Sequence, residues 1–213
     1  TATSQSDNTV SDNAWCLAHA AMVRGVEISI SPSCQSGLPG ENLEYTMTVR
    51  NLGNVDDDYD FIAQDTENWG LSIASSIMVP AFENRTTVLT VAIPDNVMGC
   101  TLDNVTVIAT SQENENVSDS ESCLAHVKVL PGVDVRIEPG WQENFFGDNL
   151  TYTITVINTG NARDNYILTA DDIGGWGLTF SDNLVNDNRI DNLPPGENRT
   201  VTLTVTILDS AEY

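Results

Sequence analysis

Along most of the chain apolar and polar residues alternate with a period of two, and no stretch of a dozen residues keeps a helical period. Successive side chains of a strand point to opposite faces, so the pattern predicts β-strands with one dry and one wet face. Leu43, Tyr45, Met47 and Val49 fall on one side and Glu44, Thr46, Thr48 and Arg50 on the other. Threonine suits the wet side, because its β-branch fits a pleated backbone. Strands are predicted at 26–31, 43–51, 59–64, 70–74, 86–93, 104–110 and 122–129. Between them lie Leu38-Pro39-Gly40, Leu52-Gly53-Asn54 and Pro94-Asp95-Asn96, which have the chemistry of turns. Seven short strands in about 100 residues, punctuated at regular spacing, predict an immunoglobulin-like β-sandwich.

The chain contains this pattern twice. Residues 2–73 lie over residues 109–180 at a constant offset of 107, with 33 of the 72 positions identical. Ala2-Thr3-Ser4-Gln5 recurs as Ala109-Thr110-Ser111-Gln112, and Cys16-Leu17-Ala18-His19 as Cys123-Leu124-Ala125-His126. Past Ile73 the offset becomes 114, so that Glu83-Asn84-Arg85-Thr86 meets Glu197-Asn198-Arg199-Thr200, and seven extra residues fall around Leu184 to Leu193. The fold class is therefore expected to be all-β, with two tandem immunoglobulin-like β-sandwich domains at 24–130 and 131–213 and an orphan strand segment at 1–23. Trp69 and Trp176 share a repeat position and are expected to plug the two cores. Only Leu130-Pro131-Gly132 connects Val129 to Val133, which predicts stiff end-to-end coupling.

Thr1 corresponds to Ile108 and Tyr213 to Gly99, so the second sandwich is expected to lack its last strands. Thr1 to Gln5 match the end of a sixth strand, and Cys16 to Met22 match a seventh. Two expectations remain open. The segment at the amino terminus of one subunit completes the last sandwich of the next, or the chain is a window of a longer covalent array.

The net charge is −23, with one lysine, Lys128. Such a surface opposes binding to nucleic acid or to an anionic membrane. No run approaches the 18 or so apolar residues of a membrane span. Four cysteines with abundant Thr, Ser, Asn and Asp suggest an oxidising, extracellular compartment.

Val26-Glu27-Ile28-Ser29-Ile30-Ser31-Pro32, Gly37-Leu38-Pro39-Gly40-Glu41, Tyr45-Thr46-Met47-Thr48-Val49, Asn51-Leu52-Gly53-Asn54 and Val117-Ser118-Asp119-Ser120 give the chain a family likeness. It resembles the tandem immunoglobulin-like repeats of archaeal and bacterial surface proteins, of the cell-adhesion-related (CARDB-like) and NPCBM-associated types. The resemblance covers nearly the whole chain. It implies extracellular, often glycosylated arrays in stalks, sheaths, surface layers or filaments, and it brings no catalytic residues. Phe145-Phe146-Gly147 departs from it where Leu38-Pro39-Gly40 stands in the first unit.

Candidate chemistry is sparse. Cys-Leu-Ala-His occurs twice, but residues three apart on a strand face opposite ways, which opposes a shared metal ion. Asp56, Asp57, Asp58 and Asp60 could offer oxygen ligands to Ca²⁺, although the second unit reads Ala162-Arg163-Asp164 there. No nucleophile, zinc-protease or phosphate-loop motif is present, so no enzyme is expected. Sequons begin at Asn84, Asn104, Asn116, Asn149 and Asn198. Asn84 and Asn198, in turns before outward Thr-rich strands, are the first expected glycan sites and Asn116 the next, while Asn104 is expected to begin an inner strand. A Cys34–Cys100 disulfide is the first choice of pairing, with Cys123 near the opposite end of the sandwich and Cys16 unassigned. The alternative pairs Cys100 with Cys123.

The aromatics that break the repeat are Trp15 in place of Ser122, Trp141 in place of Cys34, and Phe145-Phe146 in place of Leu38-Pro39. Exposed rings of this kind favour contact surfaces; local packing between domains and a sugar platform are the other readings. With Trp15, Cys16, Leu17 and His19 on the donating side, Trp141, Phe145 and Phe146 make the candidate interface. The expected function is a structural repeat subunit of an extracellular filament, sheath or surface layer that binds copies of itself head to tail. An adhesin or glycan-binding module is the alternative.

Overall fold

The computed structural model describes residues 1–181 and 188–208, and every regular element among them is a strand. Tyr213, and residues 184–187 of the seven-residue insertion, lie outside the described residues. At the amino terminus β1 (Ala2–Thr3) and β2 (Ser11–Asp12) pair only with each other.

The first unit contains β3 (Val26–Ser31), β4 (Cys34–Gly37), β5 (Asn42–Asn51), β6 (Asp57–Asp65), β7 (Gly70–Ser72), β8 (Ser76–Val79), β9 (Asn84–Ala92), β10 (Leu102–Ser111) and β11 (Ser118–Val127). One sheet has the order β3-β5-β9-β7 and the other β4-β11-β10-β6-β8. The alternation read from sequence closes the space between them: Tyr45, Met47, Val49, Leu89 and Val91 from one sheet meet Tyr59, Val105, Val107, Ala125 and Val127 from the other, all fully buried. Trp69 joins this core at 7% exposure. Two strands were not expected. β4 runs parallel to β11, with Cys34 opposite Leu124, and β8 closes the far edge on β6.

The second unit contains β12 (Val133–Glu138), β13 (Asn149–Asn158), β14 (Asp164–Ile167), β15 (Gly177–Ser181), β16 (Arg189–Leu193) and β17 (Asn198–Thr206). Its sheet β12-β13-β17-β15 repeats the order of the first unit, whereas the facing sheet is only β14-β16, the counterpart of β6-β8. A second core surrounds Leu150, Ile154, Val156, Leu203 and Val205, with Trp176 packed on its edge.

The joint between the units is built from Asn-x-Gly-Asn. Asn158 is fully buried. Its Nδ2 donates to Ala162 O and Leu193 O, both at 2.8 Å, and its Oδ1 accepts from the Gly160 N–H. Three residues on, Asn161 Nδ2 donates to Lys128 O at 3.0 Å and Asn161 Oδ1 accepts from the Leu130 N–H at 2.7 Å. Gly160 admits the linker closely, since a Cβ there would lie 2.6 Å from Leu130 O. The Gly99 N–H of the first unit donates to Asn161 O at 2.8 Å, so the units bond directly as well as through the linker.

The same joint exists ahead of the first unit. Asn51 holds Val55 O, Val79 O and the Gly53 N–H; Asn54 holds Ala21 O at 2.9 Å and the Val23 N–H at 2.8 Å. Residues 21–25 therefore have the bonding of an inter-unit linker. Arg24 adds a contact that Pro131 cannot make, an ion pair of 3.0 Å with the buried carboxylate of Asp57.

Candidate assembly site

The candidate site is the open side of the second unit. In the first unit the dry face of β3 is covered by the neighbouring strands of the facing sheet, leaving Ile28 4% and Ile30 9% exposed. Their repeat equivalents on β12, Val135 and Ile137, are 56% and 48% exposed. Among the described residues nothing stands in the places of β10 and β11, so the outer edge of β14 has no strand beside it. The peptide 141–144, equivalent to β4, is not in a sheet either, although Gln142 Nε2 still donates to Thr151 O as Gln35 does to Glu44 O. Beside it is a cleft of about 340 Å³ whose walls include Trp141, Phe145, Phe146, Leu150, Trp176 and Ile207. Trp141 is 72% and Phe145 82% exposed. The turn in front of β13 keeps the geometry of its counterpart, with Gly40 at φ 82° and Gly147 at φ 86°.

Two polar groups mark the same opening. In the first unit the Tyr45 hydroxyl donates to Leu124 O at 2.7 Å, and the Ile28 N–H donates to Asp119 Oδ2 at 2.8 Å. Burial pushes the Tyr45 phenol well above its ordinary value. The equivalent donors, the Tyr152 hydroxyl and the Val135 N–H, have no such acceptor among the described residues.

The amino-terminal segment is the complementary object. β1 pairs with β2 as Ala2 to Asp12 and Thr3 to Ser11. This is the register of Ala109 to Asp119 and Thr110 to Ser118 at the tip of β10 and β11, displaced by the repeat of 107. The segment carries apolar side chains with no cover: Trp15 is 84% and Leu17 88% exposed. Cys16 and His19 are exposed too.

Several expectations need correction. All four cysteines carry free thiols. Cys34 and Cys100 cannot meet, because β4 and β10 flank β11 on opposite sides, two strand spacings or about 10 Å apart before any offset along the strand. Cys123 is not at the far end from Cys34 but on the strand beside it, next to Leu124; its thiol faces the core while Cys34 faces solvent. Burial, then the nearby Asp103 carboxylate, pushes the Cys123 thiol up to about 11.

The acidic loop does not converge on one ion. Asp57 points inward to Arg24 and Ser111, Asp56 accepts the Ala81 N–H, Asp60 accepts from Gln112, and Asp58 is exposed. No group of three or more His, Cys, Asp or Glu among the described residues is arranged to hold a metal. Asn84, Asn104, Asn116, Asn149 and Asn198 are all exposed. Asn104 sits on a central strand, yet its side chain faces outward.

No family model matches the chain, and no curated protein matches it. Solved structures to which it is similar include a protein of unknown function from Porphyromonas gingivalis W83, at 14% identity and a TM-score of 0.36, covering 84% of this chain and 83% of that one. Another is the YadV chaperone, at 8% identity and a TM-score of 0.35, covering 83% and 84%. A third is a chain from a chaperone-tip adhesin complex of CFA/I fimbriae biogenesis, at 14% identity and a TM-score of 0.34, covering 81% and 87%. No helix among the described residues is long and apolar enough to cross a membrane.

Proposed function

We propose that the chain is a structural repeat unit of an extracellular filament, sheath or surface layer, made of tandem immunoglobulin-like sandwiches of the CARDB-like and NPCBM-associated kind. It lengthens end to end by strand addition. The observation that carries this reading is a likeness between an exposed face and a segment: Val135 and Ile137 on β12 lie open where Ile28 and Ile30 are covered, and residues 1–23 repeat residues 108–130, the last four residues of β10 and the whole of β11, with β1 and β2 paired in their register. Open sheet edges and apolar faces are templates for another chain. A head-to-tail contact between unlike surfaces makes an open chain of subunits rather than a closed dimer. The repeated Asn-x-Gly-Asn joint supplies stiffness, and the charge of −23 keeps the sides of the rods apart.

Negative-stain microscopy of the purified chain is the test: unbranched polymers with a regular axial repeat are expected, and a stable monomer at all concentrations contradicts the reading. The cleft of Trp141, Phe145 and Phe146 favours one second reading, a glycan-binding surface module. That reading requires a monomer that binds glycans and loses them when Trp141 is replaced.

A further inference from the structure

We infer that the joint between the two units is a hinge that bends one way, toward a cleft beside the linker, with Asn161 as its pivot. This goes beyond the proposed function and concerns a single copy of the chain. Each unit has its own core, so bending moves two packed bodies about the few residues between them. Along one line the joint is tight. The Gly99 N–H donates to Asn161 O at 2.8 Å, the Asn161 N–H to Leu130 O at 3.0 Å and the Thr159 N–H to Gly132 O at 3.1 Å. A Cβ on Gly99 would lie 2.8 Å from Asn161 Oδ1 and 3.2 Å from the Ala162 Cβ. Gly99 and Ala162 do not line the cleft, and their close approach stops motion away from it.

On the other side the units face each other across a space of about 570 Å³. Leu38 and Pro39, ahead of β5, and Met98, between β9 and β10, line it from the first unit; Pro195 and Gly196, ahead of β17, line it from the second, and Leu130 from the linker. Among the described residues no hydrogen bond joins the first unit's turns to the Pro195-Gly196 turn. Met98 and Leu130 are 51% and 50% exposed. Closing the cleft takes such apolar surface out of water, and no polar contact across it has to part first. The space is open because position 196 is glycine. A Cβ there would meet nothing within 4 Å, and the repeat partner of Gly196 is Phe82, whose backbone is left-handed too, at φ 61° against 73°. The same turn therefore accepts a ring, and in the second unit the place of that ring is left free for the two units to close into.

Distances between two spin labels, read by pulsed electron paramagnetic resonance, test the hinge. Cys16→Ser, Cys34→Ser and Cys100→Ser leave only the buried Cys123. Labels are attached at Glu44→Cys on β5 and Thr200→Cys on β17, both exposed and both on strands that follow the turns of the cleft. The labelled chain is diluted with unlabelled chain, so that only distances within one copy are read. The parent is expected to give a broad distribution with an arm at short distances, from molecules in which the cleft has closed. Gly196→Phe puts a ring in the cleft and is expected to remove at least about half of that arm, because the bent state loses the space it needs. Gly196→Asn, small and at ease with a left-handed backbone, should match the parent. Met98→Trp fills the cleft from the first unit and should act as Gly196→Phe does, which keeps the test open if either variant fails to fold; an unchanged urea midpoint shows which are folded. Asn161→Ala frees the pivot and should add distances longer than any in the parent. A narrow parent distribution, or one that Gly196→Phe and Met98→Trp both leave unchanged, overturns the hinge, and an Asn161→Ala distribution equal to the parent's overturns the pivot. None of these readouts depends on polymers, so the proposed function stands or falls separately.

Discussion

Replacing Arg24 by alanine isolates the anchor that fixes the incoming linker to the first unit. Asp57 has no side-chain exposure, and its Oδ2 accepts from Ser111 Oγ at 2.7 Å and pairs with Arg24 Nη1 at 3.0 Å. Its other oxygen, Oδ1, is buried with no partner among the described residues. At 3.0 Å the pair is attracted by about 5 kcal/mol at an effective dielectric of 20, a gross figure that desolvation of both charges largely offsets. Removing one member leaves the other buried and uncompensated, typically at a cost of 3–5 kcal/mol. Arg24 is 19% exposed at its side chain, so water reaches the vacated space and the expected loss falls to about 2–4 kcal/mol. Replacing both residues, Arg24→Met with Asp57→Leu, is expected to stay within about 1 kcal/mol of the parent, because no buried charge remains. Urea unfolding followed through Trp69, with the other three tryptophans changed to phenylalanine, reads the first unit. A loss below about 0.5 kcal/mol for Arg24→Ala, or a double variant as unstable as the single one, refutes the anchoring of the linker by a buried ion pair.

Three further outcomes follow from the same geometry. Asn158→Ala strips partners from two carbonyls and one N–H in a buried site and is expected to cost the second unit about 3–5 kcal/mol, read by urea unfolding through Trp176; Asn51→Ala should do the same to the first unit. Asn161→Ala removes only the two bonds to the linker, so small-angle scattering should report a wider spread of inter-unit angles while each unit keeps its stability within about 1 kcal/mol; an unchanged profile contradicts the clamp. A thiol-specific aromatic disulfide at pH 8 should titrate Cys34 and Cys100 in the native protein and Cys123 only after unfolding, since burial raises the last to about 11. Because that folded value lies above the thiol's ordinary 9.0, ionisation favours the unfolded chain. Its contribution is complete below about pH 9 and is lost as pH rises through 11, and a urea midpoint that stays level over that window contradicts the assignment.

The strands with strict alternation were legible because burial on one face writes itself into a period of two. Val26–Ser31 and Asn42–Asn51 match the expectation to within a residue. β4 was not legible: in Cys34-Gln35-Ser36-Gly37 only the glycine is buried, and the strand exists because β11 lies beside it. The error over Cys34 and Cys100 has the same origin, since alternation tells which face a residue occupies and says nothing of the order of strands across a sheet. Asn51 and Asn54 read as turn chemistry. Their side-chain bonds to backbone 28 and 33 residues away are non-local, and the one available signal was that Asn-x-Gly-Asn recurs unchanged at 158–161. The exposure of Val135 and Ile137 was not legible: they alternate on β12 as Ile28 and Ile30 do on β3, and alternation does not tell what covers a face.

Deleting residues 1–22 tests the central claim most directly. The truncated chain keeps both cores, Asn54, Arg24 and every residue of the receiving side; it loses the segment proposed to close the next copy and, with it, the Ala21 carbonyl that Asn54 holds. Sedimentation and electron microscopy of the two forms, at equal concentration and salt, should find polymers in the full chain and monomers in the truncated one. Polymerisation should be blocked when a synthetic peptide of residues 1–22 is added to the full chain in excess, since it occupies the open sandwich. Polymers of unchanged length and repeat from the truncated chain would contradict the account.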